Sequence, residues 1–210
     1  MDFRQFFFKN RSYTPIPIVL LIIYYSEPSQ PYIMIGLALI AAGELIRISA
    51  VRYAGGATRT RNVGAPYLCT SGPYSLTRNP LYCANIIIYI GTVFFAGGIW
   101  MWHILPLVAI FFIFQYYLII SLEEETLKIK FMDQYKLYFE NVPKLFPRFS
   151  PWKGGNQTKP KNLISTLKTE KRTLQNIIII AIIVLYKNAI VSFIFALFLG
   201  QLAILHFLGL

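Results

Sequence analysis

Three largely apolar stretches limit the folds that this 210-residue chain can adopt. They are Pro31 to Val51, Leu81 to Trp100 and Trp102 to Leu122, each 20 or 21 residues long. At a rise of about 1.5 Å per residue, a helix of this length crosses roughly 30 Å, the hydrocarbon thickness of a bilayer. The stretches therefore predict three membrane-spanning helices.

The composition supports the same interpretation. Hydrophobic residues make up 56% of the chain, charged residues make up 14%, and the mean hydropathy is +0.53. A single soluble core of this size cannot bury that much apolar surface. We therefore predict an integral membrane protein.

Two further stretches leave the number of spans open. The first, Tyr13 to Tyr25, has 13 residues and two prolines, so it spans only with help from Phe6 to Phe8 or in a thinned bilayer. The second, Leu174 to Leu210, is interrupted by Lys187 and is either one long tilted span or two helices. The predicted fold class is an all-α integral membrane protein with about five, from four to six, transmembrane helices.

The basic residues predict the orientation in the membrane. Of the 20 Lys and Arg residues, 18 lie in the N-terminal segment, between Arg52 and Asn79, or between Lys128 and Arg172. The connections Ser26 to Gln30 and Trp100 to Trp102 carry none. Because basic residues concentrate in cytoplasmic segments, we expect the N-terminus and both long loops to face the cytoplasm. This topology and attraction to anionic lipid explain the net charge of +11 without a nucleic-acid partner.

A polar motif stands where the first long loop enters a membrane helix. It runs from Gly72 to Tyr82 and reads Gly-Pro-Tyr-Ser-Leu-Thr-Arg-Asn-Pro-Leu-Tyr. A connecting loop needs turn formers, but it does not need an arginine at the edge of the hydrocarbon. Arg78 can bind an anionic group, and Glu123 to Glu125, at the same membrane face, can bind a cationic or hydroxyl-bearing group. This combination predicts a site for a zwitterionic ligand.

An amphipathic segment follows the three glutamates. Its apolar side chains recur at helical spacing, at Leu127, Phe131, Tyr135 and Tyr138. This spacing predicts a cytoplasmic helix that lies along the membrane surface or over the loop.

Two blocks resemble the isoprenylcysteine carboxyl methyltransferase family and the related phospholipid methyltransferases. The first block is the pattern Gly-x-Tyr-x-x-x-Arg-(His or Asn)-Pro-x-Tyr, and the second is the acidic run followed by Phe131, Tyr135, Tyr138, Val142, Pro143 and Pro147. The resemblance covers about residues 55 to 149. It implies an enzyme that binds S-adenosyl-L-methionine at the cytoplasmic face and accepts a lipid or lipidated substrate from the bilayer.

The resemblance also implies which residues bind the cofactor. They are Pro66, Tyr67, Leu68, Cys69, Tyr74, Asn79, Pro80, Leu81, Tyr82 and Glu123. Two positions differ from the family's pattern. Asn79 stands where many members have histidine, and Ile119 stands where the eukaryotic carboxyl methyltransferases have an arginine for the substrate carboxylate.

The reaction type suggests roles for the remaining polar residues. Methyl transfer from a sulfonium is an in-line displacement, so the protein contributes mainly alignment and exclusion of water. We predict positioning roles for Arg78 and Asn79, and Glu124, with Glu125 beside it, is the nearest candidate base for an amine acceptor. The two histidines lie far from other ligand types, so no metal site is expected.

The resemblance divides the chain into four predicted parts. They are N-terminal transmembrane helices (1–52), a catalytic methyltransferase core with the cofactor loop (53–149), a basic cytoplasmic linker (150–173) and a C-terminal transmembrane segment or hairpin (174–210). The sequence does not indicate an oligomeric state.

Several functions remain open at this point. The leading prediction is carboxyl O-methylation of an isoprenylcysteine-type acceptor, and the first alternative is N-methylation of a phospholipid ethanolamine. An NADPH-dependent membrane reductase and a non-enzymatic membrane scaffold or transporter half are further alternatives.

Overall fold

The architecture of the described residues is all-α. A computed structural model describes residues 2–55, 63–156 and 158–207. Its helices are α1 (Phe3–Asn10), α2 (Ile16–Tyr24), α3 (Tyr32–Ala54), α4 (Pro80–Ala96), α5 (Met101–Asn141) and α6 (Leu163–Phe207), with a short 3-10 turn at Gly72–Ser75. Part of the predicted binding loop, residues 56–62 with Arg59 and Arg61, lies outside the described ranges. The predicted fold class is confirmed.

Three helices among the described residues are long and apolar enough to cross a membrane. They are α3, α5 and α6, and the shorter α4 is also apolar. Helix α4 was expected to reach Trp100, but it ends at Ala96 because Gly97 and Gly98 take positive φ angles of 60° and 88°. Its 17 residues rise about 25 Å. The protein is therefore an integral membrane protein with a bundle of at least these helices.

Helix α1 packs against α5, and α2 packs against α4 and α6. Arg4 on α1 pairs with Glu125 at 2.8 Å, and the ring of Tyr25, just after α2, lies 5.7 Å from the ring of Trp100. Since α2 has only nine residues, it is too short to span alone. The expected help from the N-terminal phenylalanines agrees with the buried position of Phe8.

The third predicted span and the predicted amphipathic helix form one continuous element. Helix α5 runs from Met101 to Asn141 and is broken within it at Met132, where φ is 41° and ψ is −116°. Beyond the break, Tyr135 and Tyr138 are buried. The Tyr138 hydroxyl donates to the carbonyl of Tyr74 at 2.7 Å, so this part lies over the loop.

The C-terminal apolar stretch is one helix rather than a hairpin. Helix α6 begins at Leu163, inside the segment predicted as a linker, and continues to Phe207. Lys187 does not require a turn because its ammonium donates to the carbonyls of Tyr24 and Ser26 at the end of α2. Nearer its start, Glu170 pairs with Arg47 of α3 at 2.7 Å. These two contacts fix α6 against the rest of the bundle.

Close backbone contact joins α3 to α4. A Cβ atom at Gly36 would lie 2.4 Å from the backbone nitrogen of Phe95, and one at Gly91 would lie 2.9 Å from the backbone nitrogen of Ile40. Membrane helices use small residues in this way because van der Waals contact drives their association. These contacts lie near the start of α3 and the end of α4, at the other end of the pair from the polar motif, and they fix how the two helices pack.

Candidate functional site

A cavity lies where α3 ends, α4 begins and α5 leaves the apolar part of the bundle. Its volume is about 110 Å³. The residues that line it are Ala54, Ala65, Tyr67, Leu68, Cys69, Tyr74, Arg78, Asn79, Glu123, Glu124, Leu127, Tyr135 and Tyr138. The polar motif and the acidic run therefore meet in one place, although 40 residues of chain separate them.

The loop that forms one wall of the cavity depends on a tight turn. Gly72 has φ of +59°, and a Cβ atom there would lie 2.4 Å from the ring of Tyr53. Only glycine combines this left-handed conformation with such close approach. The turn directs Tyr74 into the cavity and leads into the 3-10 segment before α4.

A segment that lies outside the two sequence motifs also holds this loop, through Trp152 and Asn156. The amide oxygen of Asn156 accepts hydrogen bonds from the backbone and hydroxyl of Thr70, at 3.2 and 2.6 Å. Its amide nitrogen donates to the carbonyl of Leu68 at 2.8 Å. The backbone of Trp152 donates to Ser75 at 3.0 Å. Sequence reasoning placed this segment in a linker, since no local pattern reveals contacts between residues more than 75 positions apart.

Arg78 joins the loop to both halves of α5. Its Nε and Nη2 atoms donate to Glu124 at 3.0 and 2.8 Å, and Nη1 donates to the carbonyls of Phe139 and Val142. The guanidinium also lies 4.2 Å from the centre of the Phe139 ring, a cation–π contact. All three guanidinium nitrogens therefore have partners within the protein.

Glu124 is held between two cations. One oxygen accepts from Arg78, and the other lies 3.2 Å from the ammonium of Lys144. The Arg78 and Glu124 side chains are 7% and 8% exposed. Burial makes such a pair sensitive to loss of either member, because the remaining charge would be uncompensated.

Glu123 faces the cavity from the adjacent position on α5. The Tyr82 hydroxyl donates to one of its carboxylate oxygens at 2.9 Å. The ring of Tyr82 in turn lies 4.7 Å from the ring of Tyr116 in the core. Tyr82 thus orients the Glu123 carboxylate from the side of the hydrophobic core.

Asn79 connects the start of α4 to the chain that follows α5. Its amide nitrogen donates to the carbonyl of Lys144 at 3.0 Å. The hydroxyl of Thr77 donates to the same carbonyl at 3.1 Å, and the thiol of Cys83 lies 2.9 Å from the carbonyl of Leu145. These bonds fix the segment from Pro143 to Leu145 against α4.

Burial keeps two acidic groups of the loop, a thiol and a phenol, in their protonated form. It raises the pKa of the Cys69 thiol to about 11, and it raises the pKa of the Tyr74 phenol well above its usual range. Both groups are therefore neutral near pH 7. The hydroxyl of Tyr67 donates to the carbonyl of Ala54 at 2.6 Å, which holds this ring across the cavity.

The predicted cofactor residues divide into two sets. Tyr67, Leu68, Cys69, Tyr74, Asn79 and Glu123 line the cavity, as do Arg78 and Glu124; Pro66, Pro80, Leu81 and Tyr82 do not. Pro80 is buried as the first residue of α4, and Tyr82 acts through Glu123. Tyr135 and Tyr138, which the sequence places on the apolar side of the amphipathic segment, also line the cavity. Within the described ranges, no three His, Cys, Asp or Glu side chains are grouped as a metal site.

A bundle of apolar helices with a polar, aromatic cavity at one end defines a membrane protein with a ligand site at the membrane boundary. Residues 31–134 match the family model described as phospholipid methyltransferase. This part of the chain, which contains the first motif block, the acidic run and most of the cavity, therefore belongs to that family of membrane methyltransferases. No curated protein and no solved structure matches the chain.

Proposed function

We propose that the protein transfers a methyl group from S-adenosyl-L-methionine to a lipid-like acceptor at the cytoplasmic face of the membrane. The observation that carries this proposal is the position of Glu123. Its carboxylate faces an aromatic cavity at the end of three membrane helices, inside the segment that matches the methyltransferase family. The cytoplasmic orientation rests on the distribution of basic residues.

The side chains in the cavity fit the chemistry of this cofactor. Glu123 can accept hydrogen bonds from hydroxyl or ammonium groups, and the amide of Asn79 can both donate and accept. The rings of Tyr67, Tyr74 and Tyr138 offer faces that attract a sulfonium cation. The volume of about 110 Å³ is below the 300 Å³ or so of a typical small-molecule pocket. Binding therefore requires the rim to open, and Tyr67, 39% exposed, is the side chain best placed to move.

The bound cofactor supplies an electrophilic methyl group. The residues of this chain contribute alignment of the two reactants and exclusion of water. Tyr74, Tyr135 and Tyr138 form an apolar wall, and Glu123 holds the polar end of the cofactor.

Arg78 and Glu124 support the site as positioning residues. The nitrogens of Arg78 and both oxygens of Glu124 already have protein partners, which supports a positioning role over direct contact with a reacting atom. We propose that Arg78 holds the loop, α4 and both parts of α5 in register. We propose this structural role for Glu124 in place of the general-base role that the sequence suggested. The ammonium of a lipid acceptor would then lose its proton to bulk water at the membrane surface, and the neutral amine would enter the cavity.

A phospholipid amine is the acceptor that the observations favour. The matched family is described by its action on phospholipids. The position at which carboxyl methyltransferases bind their substrate with an arginine is Ile119 here, and its side chain is fully buried. Carboxyl O-methylation of an isoprenylcysteine-type acceptor is the second candidate, because the motif pattern is shared by both groups of enzymes.

One labelling experiment tests the function and separates the two acceptors. Membranes that contain the protein are incubated with methyl-labelled S-adenosyl-L-methionine, and the product is treated with alkali. N-methylated lipid retains its label, whereas a methyl ester releases labelled methanol. Absence of transfer to either class would refute the proposal.

A binding experiment separates the methyltransferase from a nicotinamide-dependent reductase. A ligand that binds the folded protein raises its melting temperature. We expect S-adenosylhomocysteine to stabilise the purified protein and NADPH to have no effect. The reverse result would favour the reductase.

A further inference from the structure

Lys144 lies between the cavity and the surface of the bundle that faces the bilayer. Its ammonium is 3.2 Å from the cavity carboxylate of Glu124 and 5.6 Å from the centre of the Tyr117 ring. Glu124 and Tyr117 are seven residues apart on α5, so they lie on one face of the helix, about 10 Å apart along its axis. Tyr117 is 59% exposed within an apolar span, so its ring faces lipid. The lysine thus bridges the site and the bilayer.

The segment around Lys144 is fixed at the start of α4. The carbonyl of Lys144 accepts from Asn79 and Thr77, and the carbonyl of Leu145 accepts from Cys83. Because Cys83 is in the first turn of α4, these bonds hold the lysine at the level where the helix enters the membrane. Its side chain is nevertheless 36% exposed, so a ligand can reach the ammonium.

Two exposed aromatic side chains follow the lysine closely in the chain. Phe146 is 88% exposed, and Phe149 is fully exposed. Between them, the backbone of Arg148 donates to the carbonyl of Leu76 at 3.0 Å, so the two rings stand on an anchored turn. Exposed aromatic rings beside a cation at the membrane boundary match the chemistry of a lipid, whose anionic phosphate lies next to its acyl chains.

We propose that Lys144 is a specificity-determining residue that binds the phosphate of a phospholipid substrate at the bilayer entrance of the cavity. Phe146 and Phe149 contact the acyl-chain side, and the headgroup amine reaches past Glu124 toward the methyl donor. The proposal deepens the function proposed above and rests on it. It assigns to Lys144 the discrimination between phosphate-bearing and phosphate-free lipids.

Kinetics with two lipid acceptors test this role. Wild-type protein, Lys144→Gln and Lys144→Arg are assayed with phosphatidylethanolamine and with a double-chain primary amine that lacks phosphate. We expect Lys144→Gln to raise the KM for phosphatidylethanolamine about tenfold, with kcat changed less than twofold and little change for the phosphate-free amine. Lys144→Arg should restore the preference, since it retains the charge.

Lys153 provides a matched control, because it is an exposed lysine outside the entrance. Lys153→Gln should leave both KM values unchanged. An equal effect of Lys144→Gln on both acceptors would show that the lysine only stabilises Glu124, and no effect on either would exclude a substrate role; both outcomes overturn the proposal. Soluble phosphoethanolamine, at the concentration at which phosphatidylethanolamine saturates the enzyme, should not inhibit methylation of the lipid. If it inhibits as well as a second phospholipid does, the proposed contact of Phe146 and Phe149 with the acyl chains is wrong.

A binding measurement separates failure of this inference from failure of the proposed function. Native mass spectrometry of the detergent-solubilised protein compares retention of phosphatidylethanolamine with retention of diacylglycerol. We expect a preference for the phosphate-bearing lipid that Lys144→Gln abolishes. If no lipid is methylated, the proposed function fails, and this preference still decides whether Lys144 binds phosphate. If the protein methylates lipid and Lys144→Gln has no effect, the role proposed for Lys144 is wrong, but the proposed function stands.

Discussion

Arg78 and Glu124 form a buried ion pair across the wall of the candidate site, with Nη2 and Oε1 2.8 Å apart. The first residue lies just before α4 and the second lies in α5, so the pair joins two helices and the loop between α3 and α4. In sequence, the arginine looked like a ligand for an external anion. In the fold, its anion is supplied by the chain itself.

Loss of Arg78 should destabilise the protein as well as inactivate it. We expect Arg78→Ala to lower the free energy of unfolding by about 3 kcal/mol or more, because Glu124 would lose the buried partner that donates two hydrogen bonds to its Oε1 atom. Thermal unfolding in detergent measures this loss. In an Arg78→Met, Glu124→Leu double variant, the loss should be smaller than the sum of the two single losses. Full methyl transfer and an unchanged melting temperature in Arg78→Ala would contradict the positioning role.

Glu123 should control cofactor affinity. We expect Glu123→Gln to weaken S-adenosylhomocysteine binding at least tenfold, because the amide accepts weaker hydrogen bonds than the carboxylate and replaces one acceptor oxygen with a donor. Calorimetry or ligand-dependent melting measures the affinity. Glu125→Gln is the matched control, since Glu125 is two residues away, 57% exposed and paired with Arg4. If both substitutions weaken binding equally, the loss comes from the change in net charge and not from a contact between Glu123 and the ligand.

Asn156 should affect the site from a distance. We expect Asn156→Ala to release the loop at Leu68 and Thr70, costing about 1–3 kcal/mol where the partners are buried, and to lower affinity for S-adenosylhomocysteine. Limited proteolysis between residues 63 and 75 should become faster. Asn141→Ala is the control, because the described hydrogen bond of the Asn141 side chain goes to the carbonyl of Leu137 in its own helix. If proteolysis and affinity do not change in Asn156→Ala, Asn156 does not hold the loop in its binding conformation.

The Cys69 thiol should react slowly at neutral pH. Since burial raises its pKa to about 11, the proton stays on the sulfur up to that pH, and at pH 8 only about one thiol in a thousand is the nucleophilic thiolate. In a Cys83→Ser background, the rate of iodoacetamide labelling should rise about tenfold per pH unit between pH 8 and 10, as followed by mass spectrometry. S-adenosylhomocysteine should protect the residue. Fast labelling at pH 7 would show that Cys69 is not buried in this way.

The span pattern was predictable because membrane insertion depends on local hydropathy. Stretches of about 20 apolar residues at Pro31 and Trp102 each appear as helices. The end of α4 was misplaced because Ile99 and Trp100 are as apolar as the residues before them, and only the conformations of Gly97 and Gly98 stop the helix. The continuity of α6 could not be predicted, since the carbonyl partners of Lys187 lie at and just after the end of α2, 163 and 161 residues away in sequence.

By itself, the sequence determined that the protein lies in a membrane and which family it resembles. Length and hydropathy require an all-α membrane protein, and the motif from Gly72 to Tyr82 with the acidic run predicts the methyltransferase resemblance. Only the tertiary structure decided which polar groups face the cavity and which face each other. All three residues line the cavity, but Arg78 and Glu124 are bonded to one another, while Glu123, one residue away, is bonded to Tyr82. The reason is helical geometry: adjacent residues point about 100° apart, so neighbouring identical side chains meet different surroundings.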